Sequence, residues 1–382
     1  MGAVLLGFFM NADIDRRELI GTMGKSLFLL CAATVLQGCG GVSRENLLVE
    51  KKDELSVFPN PDAQRILRLA SLAPSGHNAQ PWTVKLMEPQ RWIIGSERAR
   101  WLPAVDPHNR ELLLSMGAFL ENLLLAANHY GYRLEYRVMA TNPEESDLLE
   151  VRLQNDTAIL YQLENIKMRR TVRSGYLNRE LRSEDLRQLT DGLSEWHYYP
   201  AGSAQAKYLV EATIEANRKQ ASRDDAQLEL ANWIRWSNRD AERFRNGLTP
   251  ESIEISGFAG WFVRTFYDRE KVMTEGFRRD GVDRIIEQVR QGAGWLVTVS
   301  LDSEMTTLIE AGRTFERLFL RVRNHSIALH PMTQVLEEQP WREQVATQLG
   351  IRGQVQFVLR VGYVSFYPDP VSLRMPVSRF TH

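Results

Sequence analysis

A short polar segment, APSGHNAQPW, separates two ordered patterns in the chain of 382 residues. Apolar residues recur at helical spacing from Asp62 to Leu72, and a strand-like pattern begins at Trp82. Chains often place binding groups in such connections, because the flanking elements hold the polar groups in position. The candidate binding residues of this segment are Pro74, Ser75, Gly76 and Asn78. They offer neutral donors and acceptors, and the glycine permits a close approach to the backbone.

A second candidate set is cationic. Arg169, Thr171 and Arg173 alternate in MRRTVRSGY, and Arg374 stands in VSLRMPVSRF near the C-terminus. Guanidinium and hydroxyl groups are the ligands that proteins use for phosphate. Taken alone, the arginines of MRRTVRSGY are also typical of a solvated basic start of a helix, so these residues leave both interpretations open.

The composition argues against several other chemistries. The seven histidines are scattered, and none has a second ligand at metal-binding spacing, so we expect no metal site. Cys31 and Cys39 are the two cysteines, both near the N-terminus, which excludes a disulfide framework or a cysteine nucleophile elsewhere. A net charge of −1 without a Lys/Arg block gives no electrostatic footprint for nucleic acid.

The elements that must position these residues include a long internal helix. Strand patterns cover Trp82 to Met87 and Arg91 to Gly95, and a helical pattern covers Glu111 to Tyr130. The helix is apolar on nearly every side, so we expect it in the middle of the protein.

A possible internal repeat involves this helix. The segment GAFLENLLLAANHYGYRL aligns without gaps to GRTFERLFLRVRNHSIAL, which pairs Gly117 with Gly312 and Glu121 with Glu316. A strand pattern precedes each copy, at 91–95 and at 295–300, and QVQFVLRVGYV follows the second as a buried strand. Two buried helices can resemble each other by chance. We favour a duplication, with a first half at 61–160 and a second at 161–382.

The first motif resembles the A-P-S-x-x-N-x-Q-P-W element of the nitroreductase family of flavoproteins. Four further segments, DPHNRELLLSMGAFLENLLLAA, RRTVRSGY, EAGRTFERLFL and FVLRVGY, are similar to the Acg-like branch, in which one chain carries two nitroreductase-like halves. The resemblance runs from Asp62 to the C-terminus and is weakest over 180–292. It implies an α+β fold with a central mixed or antiparallel sheet flanked by helices, and a monomeric pseudo-dimer.

The resemblance also implies an FMN site. By this comparison Pro74, Ser75, Gly76 and Asn78 line the flavin, whereas Gln80, Pro81 and Trp82 hold the turn. Arg169, Thr171 and Arg173 resemble the R-x-S-x-R/K element that holds the phosphate, with Thr in place of Ser. Arg374 matches a closing basic element, in which Ser372 stands where some members have lysine. His330 and Gln334, which follow the second repeated helix, would approach the ring edge. Each element occurs in one half only, which predicts one site per chain.

The implied function is that of an oxidoreductase. FMN would pass a hydride through its N5 atom from a small-molecule donor to an electron-poor acceptor such as a nitro compound or a quinone. The alternatives are a non-catalytic protein that sequesters FMN under a flap, and an apo protein that keeps only the fold. The aromatic segment ISGFAGWFVRTFYDREKVMTEGF, with Phe258, Trp261, Phe262, Phe266, Tyr267 and Phe277, is either a core helix or that flap.

Residues 1–39 have the pattern of an export signal. Arg16 and Arg17 precede an apolar run from Leu27 to Leu36, as in twin-arginine signals, and we therefore expect a periplasmic or membrane-anchored protein. LQGC resembles a lipoprotein cleavage box with Cys39 as the lipidated residue, although Gln37 is unusual there. The alternative is an uncleaved apolar helix. Residues 40–60 have the composition of a polar linker, and Met1 and Met10 are alternative translation starts.

Overall fold

The computed structural model describes residues 61–193 and 196–382. The arginine pair at 16–17, Cys39 and the 40–60 linker therefore lie outside the described residues. Within the described residues, helices alternate with antiparallel strands, which confirms the predicted α+β class.

The first sheet follows a single helix. Its elements are α1 (Pro61–Ala70), β1 (Trp82–Glu88), β2 (Arg91–Ser96), α2 (Arg110–His129), β3 (Tyr132–Val138) and β4 (Asp147–Asn155). The strand order is β1-β2-β4-β3, and every neighbouring pair is antiparallel. The helix that we predicted up to Leu72 ends at Ala70, and a turn then leads into the polar segment.

Helices dominate the stretch between the two sheets. They are α3 (Leu163–Met168), α4 (Ser183–Thr190), α5 (Ala204–Ser222), α6 (Asp224–Trp233), α7 (Asn238–Phe244), α8 (Gly257–Phe266), α9 (Arg269–Val272) and α10 (Glu275–Val289), with strand β5 (Trp196–Pro200) after α4. This stretch includes residues 180–292, where the resemblance to the nitroreductase family is weakest.

The second sheet has the same strand order as the first. Its later elements are β6 (Gly294–Ser300), α11 (Met305–Arg321), β7 (Ile327–Pro331), α12 (Gln334–Glu337), α13 (Trp341–Leu349) and β8 (Gln354–Tyr363). The order is β5-β6-β8-β7, again with antiparallel neighbours. The strands of the described residues are thus divided between two sheets of four, each with a long helix between its second and third strands in the sequence.

Those two long helices, α2 and α11, pack against each other in the centre of the main apolar core. They cross at Gly117 and Gly312. A Cβ added to Gly117 would lie 2.0 Å from the carbonyl oxygen of Ile309, and one added to Gly312 would lie 2.1 Å from that of Leu114. Only glycine permits so close a contact between backbones. Helix α2 is long and apolar enough to cross a membrane, but 78% of the segment is buried inside the protein, as predicted for a core helix.

The C-terminal tail returns from the second sheet to the first. It runs parallel to β1, where the N–H of Val84 donates to the carbonyl of Phe380 at 2.7 Å and the N–H of Leu86 donates to that of His382 at 3.0 Å. The tail residues before this contact pass beside the polar segment that follows α1. The return of the tail therefore brings residues 370–374 to the loop at 73–80.

Candidate functional site

The loop at 73–80 has an unusual backbone. His77, Asn78 and Gln80 have φ values of 48°, 53° and 54°, which lie in the left-handed region. Asparagine tolerates this region better than most residues. The amide of Asn78 also donates to the carbonyls of Gly247 at 3.0 Å and Leu373 at 3.1 Å. Asn78 thereby connects the loop to two distant segments.

Gln80 has the structural role that we predicted for it. Its side chain is fully buried, accepts the N–H of Met375 at 2.9 Å and donates to the carbonyl of Arg245 at 3.0 Å. Strand β1 then begins at Trp82. These bonds fix the path of the loop against the C-terminal tail.

Arg169 is not part of a solvated helix start, so that interpretation of MRRTVRSGY is wrong. Helix α3 ends at Met168, and the chain is extended at Arg169, which is only 8% exposed. Its guanidinium donates to the carbonyl of Leu72 at 3.1 Å and lies 3.5 Å from the carboxylate of Glu316. Burial raises the pKa of Glu316 to about 7, an effect that Arg169 opposes.

Arg173 and Arg374 differ in how their donors are used. Arg374 donates to Asn78 Oδ1 at 2.7 Å and to the carbonyls of Leu72 and Ala73. Arg173 donates from Nη1 to the carbonyl of Ser252 at 2.8 Å. No hydrogen bond from its other guanidinium nitrogens is present within the described part of the chain. Burial lowers the pKa of Arg173 to about 10, which leaves it charged at neutral pH.

These segments enclose what we call the arginine cavity. Its walls include Arg169, Arg170, Arg173 and Arg374, together with the hydroxyl-bearing residues Ser75, Thr171, Ser252 and Ser372. No carboxylate is among the described residues that line it. Four guanidinium groups with hydroxyls and no lining anion form a site suited to a phosphate group.

A second cavity adjoins it, which we call the carboxyl cavity because Glu111 and Glu337 line it. Both cavities share the lining residues Pro74, Ser75, His77, Thr171 and Arg173. The other walls of the carboxyl cavity are largely apolar, with Leu102, Leu114, Phe315 and Phe357. Burial lowers the pKa of His77 to about 4, so this imidazole is neutral at neutral pH.

Gln334 and Gly76 lie in the wall of the carboxyl cavity. The Oε1 atom of Gln334 is buried and has no hydrogen-bond partner among the described residues, which leaves an acceptor for a ligand. A Cβ on Gly76 would lie 2.8 Å from a methyl group of Leu102, so a larger residue would crowd this wall.

The structure thus brings all nine predicted site residues to one pair of connected cavities. Arg170, Ser252, Glu111, Thr333 and Glu337 are lining residues that the sequence analysis did not select. Arg170 was adjacent to the motif and could have been included from its charge. No pattern in the sequence connected Glu111 with Glu337.

His330 and the aromatic segment lie elsewhere. His330 is buried against Arg360, with 3.2 Å between its Nδ1 and an Arg360 nitrogen, and it lines neither cavity. Helix α8 of the aromatic segment buries Val263 but leaves Phe266 60% exposed. No residue of 257–277 is among the described residues that line the two cavities. The segment is therefore neither a fully buried core helix nor a wall of this site.

No protein-family model matches the chain. It is 25% identical over 319 residues to the "Probable NAD(P)H nitroreductase PigM" of a Serratia species. The aligned region covers 78% of this chain and 87% of that protein. It is 24% identical over 324 residues to Rv3131 of Mycobacterium tuberculosis, which has a provisional name as an NAD(P)H nitroreductase, with coverage of 82% and 89%.

Solved structures include the FMN-dependent nitroreductase NfnB from Mycobacterium smegmatis in complex with NADPH. NfnB shares 16% sequence identity with this chain. The superposed region covers 57% of this chain and 96% of the NfnB chain, with a TM-score of 0.32. The names of the two sequence relatives support a relation between this chain and the nitroreductase family.

Proposed function

We propose that this protein is an FMN-dependent oxidoreductase that reduces electron-poor acceptors such as nitro compounds and quinones. The observation that carries the proposal is the pairing of a phosphate-type cavity with a largely apolar one, connected through Ser75, Thr171 and Arg173. FMN has a phosphate at one end and a flat aromatic ring with a polar edge at the other. The names of the sequence relatives agree with this chemistry.

The donor set fits each end of this cofactor. Arg169, Arg170, Arg173 and Arg374 would supply positive charge for the phosphate, and charge-assisted hydrogen bonds of this kind are among the strongest in proteins. The buried, unpartnered Oε1 of Gln334 would accept a hydrogen bond from the ring edge. Pro74, Ser75 and Gly76 would lie beside the ring at the junction of the two cavities.

When bound, FMN would supply the hydride chemistry, and the protein would contribute placement and electrostatics. Asn78 would act by positioning, because its amide is used in hydrogen bonds to Gly247, Leu373 and Arg374. Glu316, which does not line the arginine cavity, would keep Arg169 in place through their ion pair. Apolar walls at Leu102, Phe315 and Phe357 would limit the access of water to the ring.

Arg173 offers the sharpest test of the phosphate assignment, because most of its guanidinium donors make no hydrogen bond to the part of the chain that the structure describes. Arg173→Gln is expected to raise the Kd for FMN roughly 10- to 100-fold, since a charge-assisted hydrogen bond contributes about 1.5–3 kcal/mol. Riboflavin lacks the phosphate, and its Kd should change little. Flavin fluorescence titration measures both.

The matched control is Arg321→Gln. Arg321 donates to the carbonyls of Leu189 and Asp191 and lines neither cavity, so FMN binding should be unchanged. An equal loss of FMN and riboflavin affinity in Arg173→Gln would argue that this residue serves folding. FMN binding without turnover of any acceptor would favour the non-catalytic alternative.

We also propose that the chain arose by internal duplication and acts as a monomeric pseudo-dimer, with halves at 61–160 and 161–382. The equal strand orders of the two sheets support this, as does the contact of Gly117 with Gly312. Polar contacts repeat as well. Glu121 accepts from Arg317 at 2.7 Å, and Glu316 accepts from Asn122 at 3.0 Å, which are equivalent positions in the ungapped alignment.

Export by the twin-arginine route is proposed from the sequence of residues 1–39 alone. Replacing Arg16 and Arg17 with lysine is expected to leave the precursor in the cytoplasm, because the route reads the arginine pair. Cell fractionation with an antibody measures this. Unchanged appearance of the double variant in the periplasmic or membrane fraction would contradict the route. Lipidation of Cys39 would be seen as a mass increase of the mature protein.

A further inference from the structure

Two buried carboxyl groups in the carboxyl cavity have no part in the function proposed above. Glu111 lies in the first turn of α2, and Glu337 is the last residue of α12. Their carboxyl groups are in hydrogen-bonding contact with each other. The hydroxyl of Thr333 donates to Glu337 Oε1 at 2.8 Å, and the amide of Gln220 donates to Glu337 Oε2. The pair is therefore held in place from three elements.

The charges around the pair favour retention of a proton. Among the described residues, Arg110 is the one cation in contact with it, with Nη2 3.2 Å from Glu111 Oε1, and its Nη1 donates to Gln356. Asp106 adds a negative charge from the loop before α2, and Arg173 also lines the cavity. Burial raises the pKa of both glutamates, and repulsion by Glu337 raises that of Glu111 further. Two carboxylates in contact cannot readily both be ionised.

We propose that Glu111 and Glu337 share one proton at neutral pH and donate it to the acceptor reduced in the carboxyl cavity. The second part of this inference, donation of the proton to an acceptor, rests on the proposed function. Two observations support it: both carboxyl groups line the cavity, and they are in direct contact with each other. A carboxyl that is neutral in a largely apolar site is a suitable general acid.

The step balances for a quinone acceptor. Reduction of a quinone to a hydroquinone takes up two electrons and two protons. A hydride from FMN, when bound, would bring both electrons and one proton. The pair transfers its proton to the quinone oxygen, becomes a dicarboxylate, and recovers the proton from solvent.

The shared proton can be tested without flavin. Infrared spectra of the full chain at pH 7 are expected to contain a protonated-carboxyl carbonyl band that shifts in D₂O. Glu337→Gln should weaken this band, because the variant loses the repulsion from Glu337 and gains an amide donor that favours ionised Glu111, whereas the contribution of buried Glu316, whose pKa is about 7, should remain. Glu343→Gln, at an exposed position in α13, should leave it unchanged. A band of equal intensity in Glu337→Gln and the wild-type protein, or no band in the wild-type protein, would overturn the proposal.

The role in reduction is tested with two acceptors. Ferricyanide takes electrons without a proton, whereas a quinone needs one. Glu337→Gln is expected to lower quinone turnover about 100-fold, within the range known for general acids, and to leave ferricyanide turnover within about twofold. In the wild-type protein, quinone turnover should fall as the pH rises through the apparent pKa of the pair, and this fall should be absent from the variant.

Equal losses with the two acceptors would overturn the role in proton transfer. Flavin content is measured in every variant, so that a failure of FMN binding is seen separately from a failure of proton transfer. Glu111→Gln provides a second variant should Glu337→Gln fold poorly, and the same acceptor contrast is expected from it.

Discussion

Gly312→Val is expected to prevent stable folding of the chain. The new side chain would begin 2.1 Å from the carbonyl oxygen of Leu114, inside the crossing of α2 and α11. The obstructing atoms belong to the backbone of a buried helix, so they cannot rotate away as a side chain would. Overpacking of a core usually costs about 1–3 kcal/mol, and separating two backbones should exceed this range. Urea unfolding followed by circular dichroism measures the loss.

Gly281→Val is the matched control. Gly281 also lies inside a helix, α10, but an added Cβ would meet no atom within 4 Å. Its unfolding free energy should change by no more than about 1 kcal/mol, because only helix propensity is affected. Similar stability for the two variants would contradict the close crossing of the helices.

Asn78→Ala is expected to cost about 3 kcal/mol of stability and to lower FMN affinity at least about tenfold. The change removes two donated hydrogen bonds, to Gly247 and Leu373, and one accepted from Arg374. It leaves buried polar groups without these partners, each at a cost of about 1–3 kcal/mol. It also places alanine at a φ of 53°, which disfavours residues other than glycine and asparagine.

The exposed Asn155→Ala serves as the control for this change and should leave both quantities unaltered. Thermal unfolding with and without FMN separates the two effects. A fully stable Asn78→Ala protein would show that the bonds to the tail and to Gly247 contribute little. Unchanged FMN affinity would show that they do not position the loop for binding.

Local patterns were sufficient to predict the elements around the site. The apolar spacing in α2, the alternation in β1 and the polar cluster at 74–78 are properties of short segments, and each was confirmed at nearly the predicted position. Gly117 and Gly312 could be matched from the sequence. Their contact could not be predicted from it, because the crossing point of two helices depends on how their side chains pack.

The contact partners of the site residues were harder to predict from the sequence. Asn78 accepts a hydrogen bond from Arg374, which is far away in the sequence. Asn78 also donates to the carbonyl of Gly247, which lies in a region without a clear sequence pattern. The contact of Glu111 with Glu337 depends on two helix ends that converge only in the folded protein. Sequence patterns report periodicity within an element, whereas these contacts depend on the packing of separate elements.

The central claim is that one chain forms one complete FMN site from its loop at 73–80, its segment at 169–173 and its tail at 370–374. The most direct test is a titration of the purified chain with FMN, followed by absorbance and light scattering on the same sample at several protein concentrations. We expect one FMN per chain, with an occupancy that follows only the intrinsic affinity on dilution. No flavin binding, two flavins per chain, or loss of flavin as an oligomer dissociates would contradict the claim.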